Sequence, residues 1–180
     1  MYLRKLLKTL ACGAMMLGGG SSAWAASATA PSQAVLVAPL SFFVVDELDF
    51  GRILAGATAG TVVIAPSGAR TSTGGVTLIN SPTAQPVNFA GRGRQNQIVA
   101  ISLATTPNRL TRIGGTQTMV LDTFVIGSTP TAPITTAPTQ FRIAGPGGVF
   151  NFPLGATLRV GANQTPGNYA GTFVITLNYL

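Results

Sequence analysis

No stretch of this sequence holds apolar residues at the 3.6-residue spacing of a helix. Short runs rich in Val, Ile, Thr and Phe recur instead, divided by Gly, Pro, Asn and Ser, and a backbone punctuated so often makes strands and turns. The 22 Gly and 12 Pro among 180 residues supply that punctuation. Strands are expected near residues 35–45 (interrupted at Pro39), 48–54, 61–65, 75–80, 87–91 and 97–103. Further strands are expected near 116–126, 141–144, 156–160 and 168–179. In several of them one face is apolar, as with Val99, Ile101 and Leu103 against Ile98, Ala100 and Ser102. Strands at this spacing, with no helices to serve as crossovers, point to an all-β fold, an antiparallel sandwich.

The first 25 residues follow a different logic. Arg4, Lys5 and Lys8 precede an apolar stretch from Leu10 to Leu17, Gly18, Gly19 and Gly20 break it, and Ala23 and Ala25 flank Trp24 as a small-x-small site. This is the pattern of a secretory signal peptide cleaved after Ala25, with Ala28 as the alternative, and it implies export to the periplasm, cell surface or medium. The stretch falls short of the roughly 20 apolar residues a membrane-spanning helix needs, so no stable span is expected after cleavage. Cys12 follows Leu10-Ala11 in a partial lipobox, but Thr9 stands where Leu is expected, and a small apolar role suits it better. Residues 26–34 are small and polar and read as a flexible mature N-terminus, leaving 35–180 as one domain. A mature chain of this size can bury about 68–70% of its unfolded surface, enough for a single core.

Cleavage would also remove every Lys, the one Cys and the one Trp, and the sequence has no His. General acid–base and nucleophilic chemistry draw mainly on those missing groups, so a non-enzymatic protein without cofactor is expected. The eight mature Arg are spread singly against four carboxylates, and Arg92 with Arg94 has no interleaved aromatic, which argues against nucleic-acid binding. Asp46, Glu47 and Asp49 flank the apolar Leu48 with no second acidic cluster, so a solvated turn fits them better than a calcium site, and no metal is expected. Asp49-Phe50-Gly51 spells a kinase magnesium motif, but the catalytic Lys and His-Arg-Asp loop that motif requires are missing. Its structural reading has Phe50 filling the core and Gly51 permitting a bend. Residues 128–140 hold Pro130, Pro133 and Pro138 among five Thr and read as a long extended loop, open to glycosylation or binding.

The C-terminus carries the cleanest alternation. Tyr169, Phe173, Ile175, Leu177 and Tyr179 share one side; Thr172, Thr176 and Asn178 share the other, with Val174 the exception. The sequence ends in this strand, so its neighbours either cover both of its edges or leave one open to another chain.

Several motifs, in order, resemble the bacterial secreted family catalogued as domain of unknown function 4402. They are Leu48-Asp49-Phe50-Gly51-Arg52-Ile53, Gly60-Thr61-Val62-Val63-Ile64 with Pro66-Ser67-Gly68, Phe89-Ala90-Gly91, Met119-Val120-Leu121, Leu154-Gly155-Ala156-Thr157-Leu158 and Gly167-Asn168-Tyr169-Ala170-Gly171-Thr172-Phe173-Val174. The resemblance implies an Ig-like β-sandwich and no established activity. The last strand also resembles the terminal motif of chaperone–usher pilus subunits, with Gly167 and Tyr179 at the matching positions and Phe173, Ile175 and Leu177 alternating between them. That likeness implies a strand-pairing site at Gly167, Phe173, Ile175, Leu177 and Tyr179. The partners it implies are a periplasmic chaperone and copies of the chain or related subunits, joined by β-strand addition. The chain departs from many such subunits in lacking a disulfide, and its apolar residues at 35–44 fall on both parities. The function expected is therefore that of an exported structural or adhesive surface protein, such as a fimbrial subunit. A self-complete secreted monomer binding a ligand such as carbohydrate through its loops is the alternative.

Overall fold

Two twelve-residue strands and two of nine residues organise the chain. The structure, a computed structural model, describes Ala34, Leu36 and residues 38–105 and 107–180. The strands are β1 (Ser41–Asp46), β2 (Ile53–Ile64), β3 (Arg70–Leu78), β4 (Val87–Arg92), β5 (Ile98–Leu103) and β6 (Arg109–Arg112). They continue with β7 (Thr118–Ile126), β8 (Ala132–Ile134), β9 (Thr139–Arg142), β10 (Val149–Val160), β11 (Tyr169–Ala170) and β12 (Ile175–Tyr179).

β10 is the spine of a nine-stranded antiparallel sheet. Along one edge its first half pairs with β4, which pairs with β1, and its second half pairs with β2, which pairs with β3. Its other edge pairs with β7, whose far edge is shared by β6 and β8; β6 in turn pairs with β11. Between the two halves of β10, Gly155 passes so close to Ile64 that a Cβ there would lie 2.2 Å from the Ile64 carbonyl oxygen. Only Gly fits such an approach. β5, flanked by β9 and β12, forms a second, three-stranded sheet.

The two sheets enclose one core, which makes the expected antiparallel sandwich. Ile101 of β5 and Ile175 of β12 pack into the same cluster as Val62, Phe124, Leu154 and Leu158 of the larger sheet. Burying each such side chain contributes about 1.5–3 kcal/mol, and with no disulfide among the described residues this packing carries the stability.

Several strand expectations need correction. Residues 48–54 do not form a strand: Gly51 turns at φ 66°, its N–H donating to Asp49 Oδ1 at 2.7 Å, and β2 begins only at Ile53. Residues 128–140 are not one loop, because β8 crosses Pro133 and β9 starts at Thr139. β8 pairs with β7 alone in its sheet, and an edge position of that kind tolerates proline. β10 also runs through Pro153, in a central strand. The Pro153 carbonyl accepts the Gly127 N–H at 2.8 Å, which puts its missing donor opposite Gly127, just past the end of β7. One ladder bond is lost, at the end where it matters least. β6 (Arg-Leu-Thr-Arg) has too few apolar residues to register as a strand in the sequence.

β7 carries an extra residue opposite the Gly155–Thr157 step of β10, and within that bulge Thr123 lies at φ 49°. This left-handed region is costly for a β-branched residue. Thr123→Gly is expected to raise the unfolding free energy by about 1 kcal/mol, after allowing for the entropy of the added glycine. A higher urea midpoint with an unchanged slope checks it.

Candidate functional site

The C-terminal segment does not form the single strand expected over 168–179. Tyr169 and Ala170 pair with β6 in the large sheet, residues 171–174 cross over, and Ile175–Tyr179 pair with β5 in the small one. Gly171 makes the crossing possible, since a Cβ there would meet the Arg109 carbonyl oxygen at 2.0 Å. Gly167 therefore precedes β11 rather than opening the terminal strand; its φ of 149° and its contact with the Arg112 side chain suit a bend. Phe173 lies in the crossing and makes no ladder. Its ring packs on Phe124, centroids 5.0 Å apart, and pins the segment to the core. Of the residues singled out for strand pairing, Ile175, Leu177 and Tyr179 lie in β12.

The phase of the β12–β5 ladder follows from its ends. The Ala104 N–H donates to the Val174 carbonyl at 2.9 Å, and the Leu180 N–H donates to the Ile98 carbonyl at 3.2 Å. With the register Ile175↔Leu103 through Tyr179↔Val99, the even-numbered residues of the strand turn their backbone groups toward β5. The amides and carbonyls of Ile175, Leu177 and Tyr179 consequently face the other way. Among the described residues nothing pairs with that outer edge. The side chains of these three residues turn inward, Ile175 buried and the other two half-buried, while Thr176 and Asn178 are exposed. One strand thus presents a row of open hydrogen-bonding groups directly above apolar side chains.

An apolar groove of about 450 Å³ lies beside this segment. Phe42 and Val44 of β1 form one wall, Phe173 and Ile175 the other, and Phe89 and Leu121 lie between them. Phe42 tilts against Phe89 with centroids 5.9 Å apart. Val44 points to the same side as Phe42 by the two-residue period of a strand, yet stays 50% exposed. Phe43, between them, points to the opposite face of the sheet. At the other end of β12 the Tyr179 hydroxyl donates to the Ala38 carbonyl at 2.9 Å and accepts the Arg94 N–H at 2.7 Å, tying β12 to the chain just before β1.

The groove continues into a wider cleft of about 980 Å³ along residues 47–53. Phe50 is buried there, and Glu47, Asp49, Arg52 and Asn168 line the cleft. Asp49 is also tied down by reciprocal backbone bonds with Gln85 at 3.0 and 2.9 Å, and Asp46 accepts the Asn88 side-chain amide at 2.9 Å. Each of these two carboxylates thus has a structural partner, Asp49 within the turn and Asp46 across the β1–β4 pair. Ala23 and Ala25, the cleavage-site residues, lie outside the described residues, as do Cys12, Val35 and Val37. Among the described residues no helix is long and apolar enough to cross a membrane.

Phe42, Val44 and Leu48 are groove residues that sequence reasoning did not assign to a site. The available signal was the apolar run Phe42-Phe43-Val44-Val45, which fits a strand with something apolar to cover on both faces.

A family model described as "Domain of unknown function (DUF4402)" matches residues 40–179. That span takes in both walls of the groove and the whole of β12. Comparison with curated proteins gives no match.

Proposed function

The chain belongs to the DUF4402 family, and from that premise we propose that it is an exported, non-enzymatic structural or adhesive surface protein that assembles by β-strand addition. The incoming strand pairs with the outer edge of β12 and lays alternate apolar side chains into the groove beside Phe42 and Val44. The observation that carries this reading is that two features adjoin at Ile175: backbone groups of Ile175, Leu177 and Tyr179 without a partner among the described residues, and a groove whose apolar walls include the exposed Val44 and the half-buried Phe42 and Phe173. Main-chain pairing then gives affinity and the groove gives register, the division of labour in β-augmentation. Its partners in this reading are copies of the chain or related subunits, with a periplasmic chaperone covering the edge beforehand.

Two neighbouring substitutions test it. Val44→Asp places a charge against the incoming strand and is expected to weaken assembly at least about tenfold, the equivalent of one lost Val burial. Phe43→Asp, on the opposite face, leaves assembly unchanged. The readout is the ladder of oligomers in unheated detergent gels and its collapse on boiling. Equal effects of the two substitutions contradict the reading.

The ligand-binding alternative draws support from the wider cleft, where Glu47, Asp49, Arg52 and Asn168 offer polar groups around an apolar floor. A purified chain that stays monomeric and folded without a chaperone, and retains a glycan on an array, would favour it.

A further inference from the structure

A second apolar pocket, open to solvent on one side and sharing no lining residue with the groove, lies where the two sheets meet. It measures about 160 Å³. Val99 and Ile101 of β5, Phe141 of β9 and Leu177 of β12 face Phe150 and Phe152 of β10 across it. Part of its origin is visible in β4. A Cβ at Gly91 would meet the Phe150 ring at 2.4 Å, so this ring leans into the space that Gly91 leaves free. Phe150 and Phe152 lie nearly parallel, at 15°, with centroids 6.3 Å apart.

We propose that this cavity is a binding site for a small aromatic molecule of one ring. Apolar side chains make most of the lining, so a water against them finds few of the two to four polar partners it needs. Arg142 and Asn151 stand exposed at the rim, and two of the polar side chains are engaged elsewhere. The Ser128 hydroxyl donates to the Pro130 carbonyl at 2.6 Å, and Arg142 Nη1 donates to the Asn96 carbonyl at 2.8 Å. An apolar lining that holds water poorly is short of dispersion contacts, and a guest of matching size restores them. Apolar protein cavities of about 150 Å³ take up benzene, so the volume fits one six-membered ring. The three phenylalanines select the chemistry, because an aromatic guest gains offset or edge-to-face contacts that a saturated ring cannot make.

The test is a benzene titration of the protein, followed by methyl NMR. Saturable shifts are expected at Ile101, Ile126, Ile143 and Leu177, with Val44 and Val174 unmoved, together with a thermal midpoint that rises with benzene concentration. Cyclohexane is expected to bind about three- to tenfold more weakly, the range an aromatic contact accounts for. V99F, which fills the space, is expected to lose the response. Absence of shifts up to the aqueous solubility of benzene overturns the proposal, as do shifts confined to the groove. Equal affinity for cyclohexane overturns the aromatic class. If V99F does not fold, the titration of the unsubstituted protein still decides.

Discussion

Phe124→Ala is expected to destabilise the fold by about 3–5 kcal/mol, the largest single-residue effect on stability in this account. Phe124 is 2% exposed and sits in β7 beside the bulge, facing the core shared by both sheets. Removing its ring deletes a large apolar surface and leaves a void that the neighbouring strands of two sheets cannot close by a small shift. It also deletes the contact with Phe173, the anchor of the crossing that leads into β12. The loss should therefore be uneven. Urea titration is expected to show the drop in unfolding free energy, and amide exchange in native buffer should rise first in residues 171–179. An effect below about 1 kcal/mol would mean that Phe124 is not a core residue.

The second large effect concerns assembly and depends on backbone atoms alone. N-methylation of Leu177, introduced by semisynthesis, removes a donor that faces away from β5 and keeps the side chain. Folding stability should stay within about 0.5 kcal/mol of the parent. Strand addition should fall at least about tenfold, since the incoming strand loses a bond and meets a methyl group in the ladder plane. N-methylation of Asn178 removes the donor that faces β5 and should do the reverse, costing about 1 kcal/mol of stability. The contrast separates edge pairing from any general weakening of β12. Assembly that tolerates the modified Leu177 would leave the groove as a surface without a strand to receive.

Local pattern reveals part of this architecture and hides the rest. Alternation was legible wherever one face is buried, as in Ile175-Thr176-Leu177-Asn178-Tyr179, where the structure places the apolar residues inward and the polar ones outward. It is silent about which sheet a strand joins. Residues 168–179 look continuous because Tyr169 and Phe173 keep the parity of the strand, yet Gly171 sits against Arg109 and the chain changes sheets there. Proline misled in the opposite direction. Pro133 and Pro153 argue against strands only where their nitrogen must meet a donor-requiring neighbour, and at both positions the pairing spares that contact or loses it at a ladder end. The groove was the least legible feature. Its walls come from β1 and from the C-terminal crossing, which lie about 130 residues apart in sequence. Only the register of the two sheets brings those walls to one site.

Assembly by strand addition turns on the state of one strand edge, and hydrogen exchange reads it directly. The amides of Ile175, Leu177 and Tyr179 should exchange rapidly in the isolated monomer, while those of Thr176 and Asn178, bonded to β5, are protected. In the assembled form all five should be protected. If the three outward amides are already protected in the monomer, or remain unprotected after assembly, strand addition at β12 is contradicted.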